Sequence, residues 1–300
     1  MGGAYREFIG LGVVMKNLGS CITLKDGRLL GFAEFGDPKG HPVFYFHGFP
    51  GSRLQAGDFH ELAKAHHYRF FGIDRPGMGL STFNKKHTIL GWSQDVLAFA
   101  NHLKLDKFSI IGHSGGAPFV MACAYAIPDR LMGTAIVSGL APTTLPESKV
   151  GMASGLRIIN AWVRHMPRFA FVLMKIQQKI MLKPKVFHQF VQKLPMPDRM
   201  ILQDADRMHA TMDALVEAFK QGVSGPAQEM RLILQPWGFS LEKITYPITI
   251  WQGKLDMQVP VSHAEIYKTK LPHAKLRLFE NEAHLSTLYN HMGDILESLV

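Results

Sequence analysis

The run Lys107-Phe108-Ser109-Ile110-Ile111-Gly112-His113-Ser114-Gly115-Gly116 decides how this chain is read. Its first half is β-branched and aromatic, which favours a strand. Behind it stands an apolar run of helix length, Ala117 to Ala126. Between the two lies G-x-S-x-G, and strand, motif, helix is the order in which that pentapeptide forms a nucleophile elbow. The glycines have a steric purpose. The chain turns so sharply that the serine takes a strained backbone position, and bulky neighbours would clash where strand and helix close on it. The turn exposes the hydroxyl at the carboxyl end of the strand. It also aims the first amides of the helix, beginning with that of Gly115, at any developing oxyanion. Ser114 is therefore the candidate nucleophile and Gly115 a candidate oxyanion donor.

Outward from the elbow, strands alternate with helices. A hairpin opens the order, with Cys21 to Leu24 and Leu29 to Phe35 flanking the turn pair Asp26-Gly27. Strands follow at Pro42 to Phe46, Tyr68 to Ile73, Phe108 to Ile111 and Leu131 to Val137, and later at Ile248 to Trp251 and Lys275 to Phe279. Helices are predicted at Gln55 to His66, Ile89 to Leu103, Val261 to Leu271 and Ser286 to Leu299. This pattern implies an α/β fold with a mostly parallel central sheet and helices on both faces. Sites in such sheets sit at the carboxyl ends of strands.

Residues 141–237 read differently. They hold few strand runs and many helical windows; Phe169, Val172, Ile176 and Ile180 share one helical face, and Phe187, Phe190, Val191 and Leu194 another. Prolines 184, 195 and 197 punctuate them, and Asp198 is placed to N-cap the helix that follows. A stretch this long is not a loop within a compact domain. We read it as a helical cap inserted into a core made of residues 20–140 and 238–300, with residues 1–19 an N-terminal extension. The cap carries 13 Lys and Arg against 7 Asp and Glu. Such a surplus is an ordinary solvated face or a funnel for an anionic or lipid-like substrate, and we favour the first.

A serine hydroxyl needs a base, and the base an orienting carboxylate. In this fold they follow the serine in the order acid, then histidine. The strand Ile248 to Trp251 leads through Gln252-Gly253-Lys254-Leu255 to Asp256. The strand ending at Phe279 leads through Glu280-Asn281-Glu282-Ala283 to His284. Asp256 and His284 are thus the candidate acid and base. Glu280 and Glu282 compete as acids but lie too near His284 in sequence. The position after the strand following the elbow helix, Val137-Ser138-Gly139, offers no carboxylate. A second oxyanion donor is expected from the amide of Phe49, since Pro50 has none. Among the other histidines, His113 is read as packing beside the serine and His47 as tying down the loop at Gly48. Asp74 and Arg75 are read as braces for their loop.

Composition bounds the rest. The chain has 300 residues, 47% of them hydrophobic, so it can bury a large core. A net charge of +9 favours anionic partners, yet no nucleic-acid module is present, and we expect no nucleic-acid partner. The two cysteines, Cys21 and Cys123, do not make a disulfide framework, which fits a cytoplasmic protein. No histidine pair shows zinc spacing with a third ligand, so neither a metal nor a cofactor is expected. The apolar run Phe8 to Met15 is too short to span a bilayer, and Met15 is a second candidate start.

His47-Gly48-Phe49-Pro50-Gly51-Ser52, Asp74-Arg75-Pro76-Gly77-Met78-Gly79-Leu80-Ser81, the elbow, Gly253-Lys254-Leu255-Asp256 and Ala283-His284 resemble, in order and over nearly the whole chain, the α/β-hydrolase superfamily. The resemblance implies the α/β-hydrolase fold and cleavage of ester, thioester, amide or C–C bonds, without choosing among them. The loop at His47 is similar to that of epoxide hydrolases. Those enzymes and haloalkane dehalogenases use an Asp nucleophile, which Ser114 argues against. Proline iminopeptidases look similar around Asp74 and the elbow, but their oxyanion loop carries glycine where Phe49 stands. They also need cap carboxylates to hold a substrate amine, for which Asp204, Asp206, Asp213 and Glu217 are the candidates. The expectation is a serine hydrolase of small-molecule acyl substrates, first of all a carboxylesterase, with the acyl length left open. The alternatives are an aminopeptidase, a ligand-binding receptor on the same fold, and a membrane-associated lipase suggested by the basic, Met- and Phe-rich cap.

Overall fold

The computed structural model describes residues 19–152 and 154–299; the expected extension over residues 1–19, Gly19 apart, lies outside the described residues. Eight strands form one sheet: β1 (Ser20–Thr23), β2 (Leu29–Gly36), β3 (His41–Phe46), β4 (Tyr68–Ile73), β5 (Phe108–His113), β6 (Leu131–Val137), β7 (Ile248–Gly253) and β8 (Ala274–Phe279). Their spatial order is β1-β2-β4-β3-β5-β6-β7-β8. The pairs β1–β2 and β2–β4 are antiparallel, and the other ladders are parallel. The opening hairpin turns at Gly27, whose φ of +84° suits glycine.

Strand β3 shows why the middle of the sheet is covered on both sides. Val43 and Tyr45 point to one face, Phe44 and Phe46 to the other, and all four are fully buried. A strand apolar on both faces needs a layer against each. On one side lie α2 (Trp92–His102), α3 (Ala117–Ala126) and α10 (Val261–Lys270), packed through Trp92, Phe99, Phe119 and Tyr267. On the other lie α1 (His60–Ala65) and α11 (His284–Glu297), packed through Ala63, Leu288, Met292 and Ile295. The Phe44 and Phe108 rings stack across β3 and β5 with centroids 4.4 Å apart.

Between β6 and β7 the described residues hold helices and no strand: α4 (Ser154–His165), α5 (Pro167–Met181), α6 (Pro184–Val191), α7 (Met196–Ile201), α8 (Ala205–Ala218) and α9 (Ser224–Ile233). Three sequence expectations are corrected here. The helix expected from Gln55 to His66 is a 3₁₀ stretch, Arg53–Phe59, followed by α1. On α5, Val172, Ile176 and Ile180 share a face as expected, but that face is exposed, and α5 buries Ala170 and Met174 instead. Periodicity finds a face; it does not say what covers it. Asp198 does not N-cap α7, because Pro195 and Pro197 start that helix at Met196, placing Asp198 within its first turn. Its carboxylate serves another helix, described below.

Glycine is demanded at Gly72 of β4. A Cβ there would stand 2.0 Å from the Arg53 carbonyl oxygen and 2.9 Å from the Ala56 Cβ. Gly72→Ala is expected to lower stability by about 1–3 kcal/mol through overpacking. Urea unfolding checks this, and an unchanged midpoint would mean that the Arg53–Phe59 stretch shifts freely.

Candidate active site

Ser114 follows directly on β5 and has φ of +53°, a left-handed conformation rare for a residue with a Cβ. Its glycine neighbours are forced by space. A Cβ on Gly116 would lie 2.3 Å from the Phe46 carbonyl oxygen, and one on Gly115 2.6 Å from the Phe49 Cβ. The second approach brings the elbow against the loop after β3, so that the Phe49 nitrogen lies only 3.3 Å from where a Gly115 Cβ would be. Among the described residues the Ser114 hydroxyl takes no hydrogen bond, and it lines a cavity of about 200 Å³.

His284 opens α11 and lines the same cavity. Its Nδ1 lies 2.8 Å from Asp256 Oδ2, the short contact of an N–H donated to a carboxylate. Asp256 stands in the turn after β7, where its Oδ1 accepts the amides of Gln258 and Val259, each at 2.8 Å. Burial alone would raise the Asp256 pKa, but the His284 charge, its hydrogen bond and those two amides hold it below the usual carboxylate range. Burial disfavours the charged imidazole, yet Asp256 and then Asp198 outweigh it and hold the His284 pKa above the ordinary value. The competing acids are engaged elsewhere. Glu280 pairs with Lys254 at 2.6 Å, and Glu282 accepts from Asn290 at 3.2 Å.

His113 is buried, with its ring centroid 4.8 Å from that of His284, and burial pushes it down to about 3. It packs beside the site as a neutral ring. His47 Nδ1 donates to the Gly48 carbonyl at 2.8 Å, the tie that the sequence led us to expect. Arg75 donates to the carbonyls of His47 at 2.7 Å and Gly48 at 3.2 Å and so braces the loop carrying Phe49.

The sequence did not expose three further contributors. Glu229 of α9 is buried and grips Arg75 through two bonds of 2.7 and 2.6 Å. Asp198 of α7 accepts the backbone amides of His284, Leu285 and Ser286 at 3.2, 2.8 and 2.9 Å. These are free N–H groups of the first turn of α11, and a carboxylate there also meets the positive end of the helix dipole. Asp58 lines the cavity with the Tyr289 hydroxyl donating to it, and burial pushes its carboxyl up to about 6. No local spacing announces any of the three, because their partners lie tens of residues or more away in the chain. The cap acids that could have held a substrate amine, Asp204, Asp206, Asp213 and Glu217, do not line the cavity. Asp204 caps α8 through the Arg207 amide at 3.0 Å, and Glu217 pairs with the buried Arg53 at 2.7 Å. Among the described residues no three His, Cys, Asp or Glu gather as metal ligands, and no helix is long and apolar enough to cross a membrane.

A mostly parallel sheet, a serine on a strained elbow and a histidine–aspartate pair at neighbouring strand ends define a hydrolase-type α/β protein. The sequence model for the alpha/beta hydrolase fold matches residues 41–290, and the chain belongs to that family. Over 266 residues it is 26% identical to the dihydrolipoyllysine-residue acetyltransferase component of the acetoin cleaving system of Pseudomonas putida, covering 86% of this chain and 62% of that one. Over 115 residues it is 27% identical to a proline iminopeptidase of Arabidopsis thaliana, covering 37% of this chain and 30% of that one. The chain thus spans less than two thirds of either relative. The solved structure of the esterase EaEST from Exiguobacterium antarcticum superposes with a TM-score of 0.65 at 19% identity, over 94% of this chain and 98% of that one, and shares the fold.

Asp198→Asn keeps the shape of the side chain but removes its charge. The amide oxygen can still accept from Leu285 and Ser286, but the NH₂ group would meet the His284 N–H, so the change is expected to cost about 1–2 kcal/mol, as for a buried donor left unpaired, and to lower the His284 pKa, since Asp198 raises it. Denaturant unfolding and an NMR titration of the His284 ring check the two parts. An unmoved imidazole pKa would remove Asp198 from the electrostatics of the site.

Proposed function

We propose that this protein is a serine hydrolase of carboxylic acyl substrates and acts most simply as a carboxylesterase. The observation that carries the reading is that Ser114, His284 and Phe49 line one cavity while Asp256 holds His284 from behind. In this reading Ser114 Oγ attacks the substrate carbonyl carbon. Its proton passes to Nε2 of His284, whose Nδ1–H stays on Asp256. The carbonyl oxygen becomes an oxyanion facing the amides of Phe49 and Gly115, each such donor being worth about 3 kcal/mol of barrier. The tetrahedral centre collapses, the C–O bond to the alcohol breaks, and His284 returns the proton to the leaving oxygen. Water then repeats the sequence on the acyl-enzyme, with His284 as base, and frees the acid. Helices α5, α6 and α8 act as a cap in this scheme, closing the acyl side of the cavity with Met181, Phe187, Phe190 and Leu215.

The test is hydrolysis of p-nitrophenyl esters of increasing acyl length. Ser114→Ala is expected to lower turnover on the order of 10⁶-fold, and full activity in that variant would end the proposal. The base must be neutral to accept a proton. Since Asp256 and Asp198 raise the His284 pKa, kcat/KM should fall on acidification with a midpoint above the ordinary histidine value, about 6.5. A midpoint well below that would remove His284 as the base.

One observation favours a second reading, cleavage of an amine-bearing substrate. The Asp58 carboxyl lines the cavity and, among the described residues, accepts a hydrogen bond from the Tyr289 hydroxyl alone, with the Arg207 charge acting on it from farther away, a placement that would accept a substrate ammonium. Proline p-nitroanilide distinguishes the two. Turnover that Asp58→Asn removes, with p-nitrophenyl ester turnover kept, supports the aminopeptidase; no anilide cleavage leaves the esterase.

A further inference from the structure

Among the described residues, eleven of the nineteen exposed large hydrophobic side chains fall between positions 156 and 200. That segment is under a sixth of the chain, so the clustering is not the scattered exposure of an ordinary surface. On α4, Ile158 and Trp162 stand outward one turn apart, at 57% and 51% exposure. On α5, Val172, Ile176 and Ile180 repeat every four residues along the outer side, at 51%, 48% and 44%. Trp162 packs edge-on against Phe169 at 5.2 Å, so the two helices lie side by side and their outer stripes adjoin.

The charge of the same surface has one sign. From Ser154 to Pro197 there are eight Lys and Arg and no Asp or Glu. Arg168, Lys175 and Lys179 interleave with the apolar stripe of α5, and all three are exposed. None of them pairs with a carboxylate among the described residues. Lys175 instead lies over the Phe171 ring at 4.9 Å. Bulky aliphatic tips, a tryptophan and long cations standing out together from neighbouring helices make the pattern of a helix lying in a lipid interface. The inward side of α5 does other work, since Gln177 and Met181 line the cavity at Ser114.

We propose that the outer faces of α4 and α5 form a docking surface for an anionic phospholipid bilayer. The apolar tips enter the acyl boundary while Arg168, Lys175 and Lys179 meet lipid headgroups. The occupant follows from charge complementarity. A neutral bilayer would leave the cations without partners, and a second copy of this chain would bring the same cations face to face. The surface stands whether or not the cavity hydrolyses esters.

The test is co-sedimentation of the full chain with vesicles of phosphatidylcholine alone and of equimolar phosphatidylcholine and phosphatidylserine. Binding to the anionic vesicles only, weakened by salt, is expected. Lys175→Glu with Lys179→Glu should weaken it by more than about 10-fold, near the effect of a lost contact per cation. Ile176→Ser with Ile180→Ser should weaken it too, without altering net charge. Hydrolysis of a water-soluble ester should be unchanged in both variants. Failure to sediment with either vesicle overturns the surface, as does equal binding to neutral vesicles or a dimer in sedimentation velocity that the isoleucine variant dissociates. Absence of any ester turnover, with vesicle binding intact, would count against the hydrolase reading alone.

Discussion

Two buried arginines of the sheet scaffold hold two carboxylates of the inserted helices, and the rest of the site is arranged about those pairs. Arg75 and Glu229 are 0% and 2% exposed at the side chain, and Arg53 joins Asp74 on the scaffold to Glu217 on α8. Ion pairs so far from water add little net stability, because desolvation offsets the attraction. Their effect shows when a partner leaves, since a lone buried charge costs several kcal/mol. The helices therefore have one seat on the sheet. From that seat Arg75 fixes the carbonyls of His47 and Gly48, and Asp198 fixes the first turn of α11. Two of the four parts of the candidate machinery, the oxyanion loop and the histidine, are thus held partly from outside the sheet that carries them.

The architecture was legible because it rests on short-range patterns. Alternating apolar residues gave the strands, the Asp26-Gly27 pair gave the hairpin, and the order of elbow, aspartate and histidine gave the sheet connection. What escaped depended on distance in the chain. The Arg53–Phe59 stretch winds more tightly than an α-helix, and at Gly72 the sheet beneath it has no room for a side chain. The apolar face of α5 was visible as a period, but its exposure depends on which neighbours arrive, and α9 takes the opposite side.

The candidate site divides the same way. Ser114, Gly115, Phe49, Asp256 and His284 each stand just past a strand end, and the parallel sheet brings those ends together. Any reading that finds the strands therefore finds the residues. Asp198 was singled out for the right chemistry at the wrong helix. A carboxylate near a helix start seeks free amides, and three of them at α11 outweighed the one local bond that its own helix could offer. Glu229 and Asp58 look in sequence like ordinary helix-surface acids, and only the fold turns them inward.

The reach of Asp198 has a consequence for how such chains can diversify. Here the candidate base, His284, takes its backbone anchor from the helices between β6 and β7, and the loop carrying Phe49 is held by an arginine whose charge those helices balance. A graft that replaced these helices wholesale would inherit a stranded Arg75 guanidinium and an α11 without its carboxylate cap. The residues lining the cavity are thus free to change one at a time, while replacing the whole segment between β6 and β7 also takes away Asp198 and Glu229.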